Sequence, residues 1–177
     1  NKESPSAISL PRGEGRQLRK FMETFVRDMK DEIPKALQSE DYENAINAYL
    51  SSSNERKSRL YNELEKLAKS LDFTVKSTRV GIETIPVVGG RSLTEKEYNK
   101  LEEKERERIE QLRTKLEPEV LDFARKVRAI DKESREFIEQ LRGEVGDQIV
   151  SAMMEPLFER YGEQEQINDY LETTISK

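Results

Sequence analysis

A long stretch of helical periodicity, from about residue 101 to about residue 145, constrains the fold of this chain more than any other feature. Apolar side chains recur there mostly at steps of three and four, and charged residues fill the positions between them. This pattern predicts a long helix with one narrow apolar seam, which is typical of a coiled coil and requires a partner helix. The seam comprises Ile109, Leu112, Leu116, Val120, Phe123, Val127, Ile130, Phe137, Leu141 and Val145, with Ser134 in one slot.

The partner helix is predicted within the same chain, over residues 39–71. Ser39 is a suitable N-cap, and the acidic residues that follow it favour a helix start. The seam of this helix repeats with the same spacing, at Leu60, Leu64, Leu67 and Leu71. Segments 39–71 and 101–142 are therefore expected to form an antiparallel coiled-coil hairpin.

The periodicity changes between the two seams. β-branched residues dominate 72–77 and 80–88, which predicts a small β-hairpin. Pro86 places the second strand at an edge, because proline cannot donate a backbone hydrogen bond. Ser92 or Thr94 then caps a short helix that leads into the long one.

The sequence as a whole predicts a mainly α fold. Wider apolar faces are expected to pack into a helical base, built from helices 15–32, 147–161 and 163–174. Pro118 is expected to kink the long helix, and glycines near residue 145 weaken its end. The predicted segments are an extended N-terminal stretch (1–14), the helical base (15–38 and 143–177), the coiled-coil arm (39–71 and 101–142), and the β-hairpin with a short helix at the tip of the arm (72–100).

Composition excludes several classes of function. The chain has 177 residues, of which 38% are charged, and its net charge of -5 argues against a nucleic-acid surface. It contains no Cys and no His, which removes the commonest nucleophile–base pairs and metal ligands. No apolar run is long enough to span a membrane, and no signal peptide is visible. Because the chain starts at Asn1 in a Pro-containing segment, we expect a piece of a longer cytoplasmic protein.

No residue is predicted to be catalytic, to bind a cofactor or to ligate a metal. The run Leu10-Pro11-Arg12-Gly13-Glu14-Gly15 lacks the Lys-Ser/Thr of a phosphate loop and is interpreted as a helix-entering hinge. Acidic clusters such as Glu102-Glu103 lie among equal numbers of cations and are interpreted as solvated faces.

The predicted hairpin carries the only candidate binding residues, a set of aliphatic side chains. Two interpretations remain open: a self-contained mini-core with Leu71, Phe73, Leu93 and Tyr98, or an exposed edge or patch that binds unfolded polypeptide. The candidate contacts for a polypeptide substrate are Val80, Ile82, Ile85, Val87 and Val88.

The order of these segments resembles the Lon-like ATP-dependent proteases whose ATPase module contains a long helical insertion. The similarity begins at Asn1 to Pro5 and at Ser9 to Gly15, and it continues through the helix, the charged coiled coil and the hairpin to the end of the chain. The remaining matching positions are Leu18, Met22, Val26, Phe73 to Val75, Ile85 to Val87, Leu93-Thr94, Tyr98, Leu157, Tyr161, Ile167 and Tyr170-Leu171.

The resemblance implies a parent protein with an ATPase, which uses ATP and Mg²⁺, and a protease domain with a Ser-Lys dyad, assembled as a homo-oligomeric ring. This chain would be the helical insertion and would help to engage or admit polypeptide substrates. A structural coiled-coil module that mediates subunit contacts without binding substrate is the alternative.

Overall fold

The structure, a computed structural model, describes residues 12–79, 81–161 and 167 of the chain. It is mainly helical with one small antiparallel sheet, which confirms the predicted fold class. The elements in order are α1 (Glu14–Ala36), α2 (Glu40–Ser70), β1 (Phe73–Thr78), β2 (Gly81–Val88), β3 (Arg91–Ser92), α3 (Glu95–Tyr98) and α4 (Glu103–Tyr161). Most of the predicted extended segment 1–14 and of the predicted helix 163–174 lies outside the described residues.

The chain divides into two compact units, one formed by Asn1–Ile46 with Ile138–Lys177 and the other by Asn47–Phe137. The first unit is helical in its described part, and α1 continues through Pro34 to Ala36, beyond the predicted end at residue 32. Its core combines aromatic, leucine and methionine side chains, as the wide apolar faces predict. The buried members are Leu18, Phe25, Met154, Leu157, Tyr161 and Ile167.

In the second unit, the α2 and α4 segments form an antiparallel pair. Ser39, which belongs to the first unit, caps α2 as predicted, with its hydroxyl accepting a hydrogen bond from the Tyr42 N–H at 3.3 Å. As the residue numbers in α2 increase, the residue numbers of their contacts in α4 decrease, so the two helices are antiparallel. The contacts are Tyr49 with Phe137, Ser53 with Ser134, Arg56 with Glu133, and Tyr61 with Phe123.

Helix α4 runs without a break from Glu103 to Tyr161, so the predicted separate helix 147–161 is wrong. Pro118 lacks one backbone donor, and Gly143 and Gly146 cost roughly 1 kcal/mol each relative to Ala in a helix. These local penalties are small beside the burial of apolar residues on both sides, such as Leu116 and Met154, each of which is 0% exposed. Tertiary packing therefore overrides the local helix breakers.

The sheet has the order β1-β2-β3, all antiparallel. A two-residue turn at Gly89 and Gly90, with φ of 61° and 79°, joins β2 to β3. Two adjacent residues with positive φ are what a tight hairpin turn of this kind requires, and glycine supplies them without steric cost. The hairpin was predicted, but the two-residue strand β3 was not.

Short helix α3 follows the sheet and begins with a reciprocal capping box. The Thr94 hydroxyl accepts a hydrogen bond from the Glu97 N–H, and the Glu97 carboxylate accepts one from the Thr94 N–H at 2.9 Å. The latter bond is the main reason why the pKa of Glu97 is lowered from its usual range. Of the two predicted caps, the structure uses Thr94, and the helix ends at Tyr98, before the predicted end near residue 100.

Candidate functional site

The structure distributes four of the five predicted contact residues over two faces of the hairpin. Side chains alternate along a strand, so Ile82 and Val88 lie on the same face as the buried Pro86. Ile85 and Val87 lie on the opposite face. Val80 lies outside the described residues.

The inner face of the hairpin contributes to a core that also includes α2, α3 and α4. Phe73 and Val75 of β1 are buried in this core, and Ile82 packs against it. The four residues proposed for a mini-core belong to this same cluster, namely Leu71, Phe73, Leu93 and Tyr98. Ile82 is therefore part of the hydrophobic core and anchors β2.

The outer face carries the two remaining aliphatic residues, Ile85 and Val87, which are partly buried. Ile85 lies opposite Thr74, and Val87 lies opposite Ser92. Small polar side chains thus flank a narrow apolar strip, which offers contact area without forming a large exposed patch.

Hydrogen bonds define which backbone groups point to each edge of the sheet. The Val87 N–H donates to the Asp72 carbonyl at 2.8 Å, and the Leu93 N–H donates to the Pro86 carbonyl at 2.9 Å. The direction of the backbone N–H and C=O groups alternates along an antiparallel strand. In β2, these groups are therefore directed towards β1 at odd-numbered residues and towards the β3 side at even-numbered residues. Ile82 and Thr84 therefore direct their N–H and C=O groups away from β1.

The two edges of the sheet differ. On the β1 edge, the Tyr61 hydroxyl of α2 donates to the Val75 carbonyl at 3.1 Å. On the other edge, β3 pairs with β2 only at Val87 and Val88, and within the described ranges no strand covers β2 from Gly81 to Ile85. We call this stretch, residues 81–85, the open edge.

A hydrogen-bonded network of α3 and α4 side chains packs against the sheet. Tyr98 of α3 donates to the Glu110 carboxylate at 2.6 Å, which is the main cause of the raised pKa of that tyrosine. Arg113 donates to the same carboxylate at 2.9 Å and lies between the rings of Phe73 and Tyr98, with its guanidinium 5.9 and 5.8 Å from the ring centroids. These contacts fix the position of the strands on α4.

A cavity of about 310 Å³ lies beside the turn between β2 and β3. Its apolar lining includes Phe73, Val88 and Ile109, and Val88 is 44% exposed. Asp72 and Arg108 form a loose ion pair at 3.9 Å on its rim. The cavity can receive an aliphatic side chain next to the sheet.

The described residues contain no group of three or more side chains arranged to hold a metal ion. Within that same part of the chain, no helix is both long enough and apolar enough to cross a bilayer.

The sequence predicted an edge strand at Pro86, whereas in the structure Pro86 lies where β2 meets β3 and the open edge comprises residues 81–85. The signals for its extent are the glycine pair, which starts the turn into β3, and the helix start at Thr94, which ends β3 after two residues.

Comparisons with models of known protein families, with curated proteins and with solved structures found no match. The resemblance to Lon-like proteases therefore depends on the order of sequence motifs alone.

Proposed function

We propose that this chain is a non-catalytic helical module that engages extended polypeptide at the open edge of its sheet. The observation that carries the proposal is the row of backbone groups at Ile82 and Thr84, which point outward where β2 has no strand neighbour among the described residues. An extended peptide can pair with such an edge through its own backbone, whatever its sequence.

Neighbouring side chains favour an added strand of apolar character. Ile85 and Val87 offer an aliphatic strip on the outer face, and Val88 borders the cavity beside the turn. Ile82 holds β2 on the core, so the edge is presented by a supported strand. This combination suits unfolded segments with alternating apolar residues.

The parent, as the sequence resemblance suggests, is a cytoplasmic Lon-like protease that forms a ring and uses ATP and Mg²⁺. The chain would then contribute to substrate engagement, and catalysis would belong to other segments. The test is the sequence on either side of this chain in the parent. A phosphate loop before it and a Ser-Lys dyad after it support the assignment, and their absence refutes it.

The binding proposal is tested with Thr84→Pro and its matched control Thr84→Val. Proline removes the outward N–H and leaves intact the ladder to β1, whereas valine keeps the N–H and the β-branched shape. We expect Thr84→Pro to weaken binding of a fluorescently labelled, permanently unfolded polypeptide by about tenfold or more, and Thr84→Val to leave it nearly unchanged.

Fluorescence anisotropy measures the affinity, and circular dichroism verifies that both variants keep the helical content of the native chain. Equal binding by a folded Thr84→Pro variant and the native chain would refute the edge as the binding surface.

A further inference from the structure

A second surface lies along the α2–α4 pair, on one side of the groove between the two helices. We call it the central groove; it consists of two adjoining concave surfaces that share Leu60 and Lys126. The larger one has a volume of about 370 Å³ and the smaller one about 110 Å³. Polypeptide binding at the open edge does not use it.

The two halves of the central groove carry opposite charge. The larger half is lined by three cations and one anion, Arg56, Arg59, Lys126 and Glu133. The smaller half is lined by three anions and one cation, Glu63, Glu119, Asp122 and the shared Lys126.

Part of this charge is neutralised within the chain. Arg56 pairs with Glu133 at 2.8 Å, and Lys126 pairs with Asp122 at 2.7 Å. The charges that are not neutralised in this way lie on opposite sides of Leu60.

Arg59 is the cation that remains on the larger half. Its side chain is 77% exposed, and its one ion pair among the described residues is with Glu55, at 3.9 Å. On the other half, Glu63 and Glu119 are exposed and both lie near Lys126, whose direct partner is Asp122 at 2.7 Å, so this half keeps an excess of negative charge. Arg59 and Glu63 therefore offer complementary charges one helical turn apart along α2.

The groove also has an apolar centre. Leu60 is partly buried, Ile130 is buried and Ala129 is exposed along the larger half. Phe123 continues the apolar floor into the smaller half. This centre is too small to form a core alone, but it suits contact with the apolar side chains of a second helix pair.

We infer that the central groove binds the central groove of a second copy of this chain, about a twofold axis near Leu60. A twofold axis is favoured because rotation by half a turn places the cationic half of each copy on the anionic half of the other. Arg59 of each copy then faces Glu63 and Glu119 of the second copy. The two helix pairs form an intermolecular four-helix bundle.

The test is analytical ultracentrifugation of the complete 177-residue chain over a range of concentrations. We expect a monomer–dimer equilibrium that weakens as salt rises, because the intermolecular charges are exposed at the rim. Arg59→Glu places like charges together and should weaken the dimer by about tenfold or more.

The decisive variant is the exchange Arg59→Glu with Glu63→Arg in one chain. Twofold symmetry makes positions 59 and 63 of this double variant complementary across the interface, whereas position 59 then meets a like charge at Glu119. Its dimerisation should therefore be at least about threefold tighter than that of Arg59→Glu alone, without reaching the native value. Lys69→Glu is the charge-matched control, since Lys69 is exposed on α2 and does not line the groove, and it should leave the dimer unchanged.

Circular dichroism establishes that each variant is folded before it is compared. A native chain that stays monomeric at every concentration would overturn the inference. A dimer that Arg59→Glu does not weaken, or an exchange variant that dimerises no more tightly than Arg59→Glu alone, would overturn it as well.

Discussion

The α2–α4 pair contains two regions built from different chemistry. Next to the sheet, the seam is apolar, and Leu116 and Ala68 are both 0% exposed. Farther along, between Asn47 and Lys57, the buried layer consists of the hydroxyls of Ser53 and Ser134, which are 3.0 Å apart. We call these the apolar region and the serine region.

The serine region is held together by directional contacts. Tyr49 stacks on Phe137 with ring centroids 3.9 Å apart, and cation–carboxylate pairs cross between the helices. Such contacts define register more than they add stability, because exposed ion pairs contribute little and burial of hydroxyls is nearly neutral. In this helix pair, the apolar region therefore contributes most of the stability, and the serine region defines the register of the two helices.

The largest expected loss of stability is that of Leu116→Ala, which tests whether the apolar region stabilises the pair. Removing a fully buried leucine should lower the free energy of unfolding by about 3 kcal/mol, through lost burial and an unfilled cavity. Urea unfolding followed by circular dichroism measures the change. The control is Leu121→Ala on the same helix, where the side chain is 63% exposed and the expected change is below about 0.5 kcal/mol. Similar losses for both variants would contradict the assignment of the core.

Ser134→Ala should have the next largest effect. Ser134 Oγ lies 2.9 Å from the Ile130 carbonyl oxygen, so its single proton serves that bond and Ser53 donates to Ser134. The alanine leaves the Ser53 hydroxyl buried without a partner, at a cost of about 1–2 kcal/mol.

The double variant Ser53→Ala with Ser134→Ala tests whether the cost of the single change comes from a buried hydroxyl without a partner. It removes both hydroxyls and should cost less than the two single changes together, as measured by urea unfolding. Strict additivity would show that the two hydroxyls act independently.

Tyr61→Phe distinguishes the two edges of the sheet. It removes the hydrogen bond to the Val75 carbonyl and keeps the ring against Phe123, so we expect a loss of about 1 kcal/mol and faster amide exchange in β1. Tyr49→Phe is the control, since its hydroxyl makes no hydrogen bond among the described residues. Unchanged exchange in β1 would mean that α2 does not secure that edge.

The smallest expected effect is the coupling between Arg56 and Glu133. Both side chains are 48% exposed, so a double-mutant cycle with alanine should give about 0.5 kcal/mol at low salt. The coupling should fall towards zero at high ionic strength because exposed charges are screened. A coupling that does not change with salt would mean that the pair is desolvated and belongs to the core.

Much of the fold was predictable from local periodicity. The leucine spacing from Leu60 to Leu71 and the seam from Ile109 onward defined the antiparallel pair, and Ser134 marked its polar slot. The continuity of α4 was not predictable, because the penalties of Pro118 and the two glycines are local, whereas the burial that offsets them comes from residues distant in sequence.

The candidate site was only partly predictable, because strand alternation and edge pairing depend on register. The aliphatic composition of the hairpin indicated where to look, but Ile82 turned inward and Ile85 outward. Pro86 indicated that the hairpin has an edge, but the position of the open edge at Thr84 depends on where β3 pairs with β2, since the groups exposed there belong to the backbone. The contact of Tyr61 with Val75 likewise depends on tertiary packing.

The serine layer also restricts how the length of this helix pair can vary. Ser53 must meet Ser134 while the same two helices meet the sheet at their other end. An insertion in α2 alone between these points would shift the register of the two helices. A serine hydroxyl would then pack against an apolar side chain, or the contact of α2 with β1 would be lost. Insertions and deletions are therefore tolerated only as whole heptads made in both helices together. The distance between the serine layer and the sheet can change in steps but not gradually.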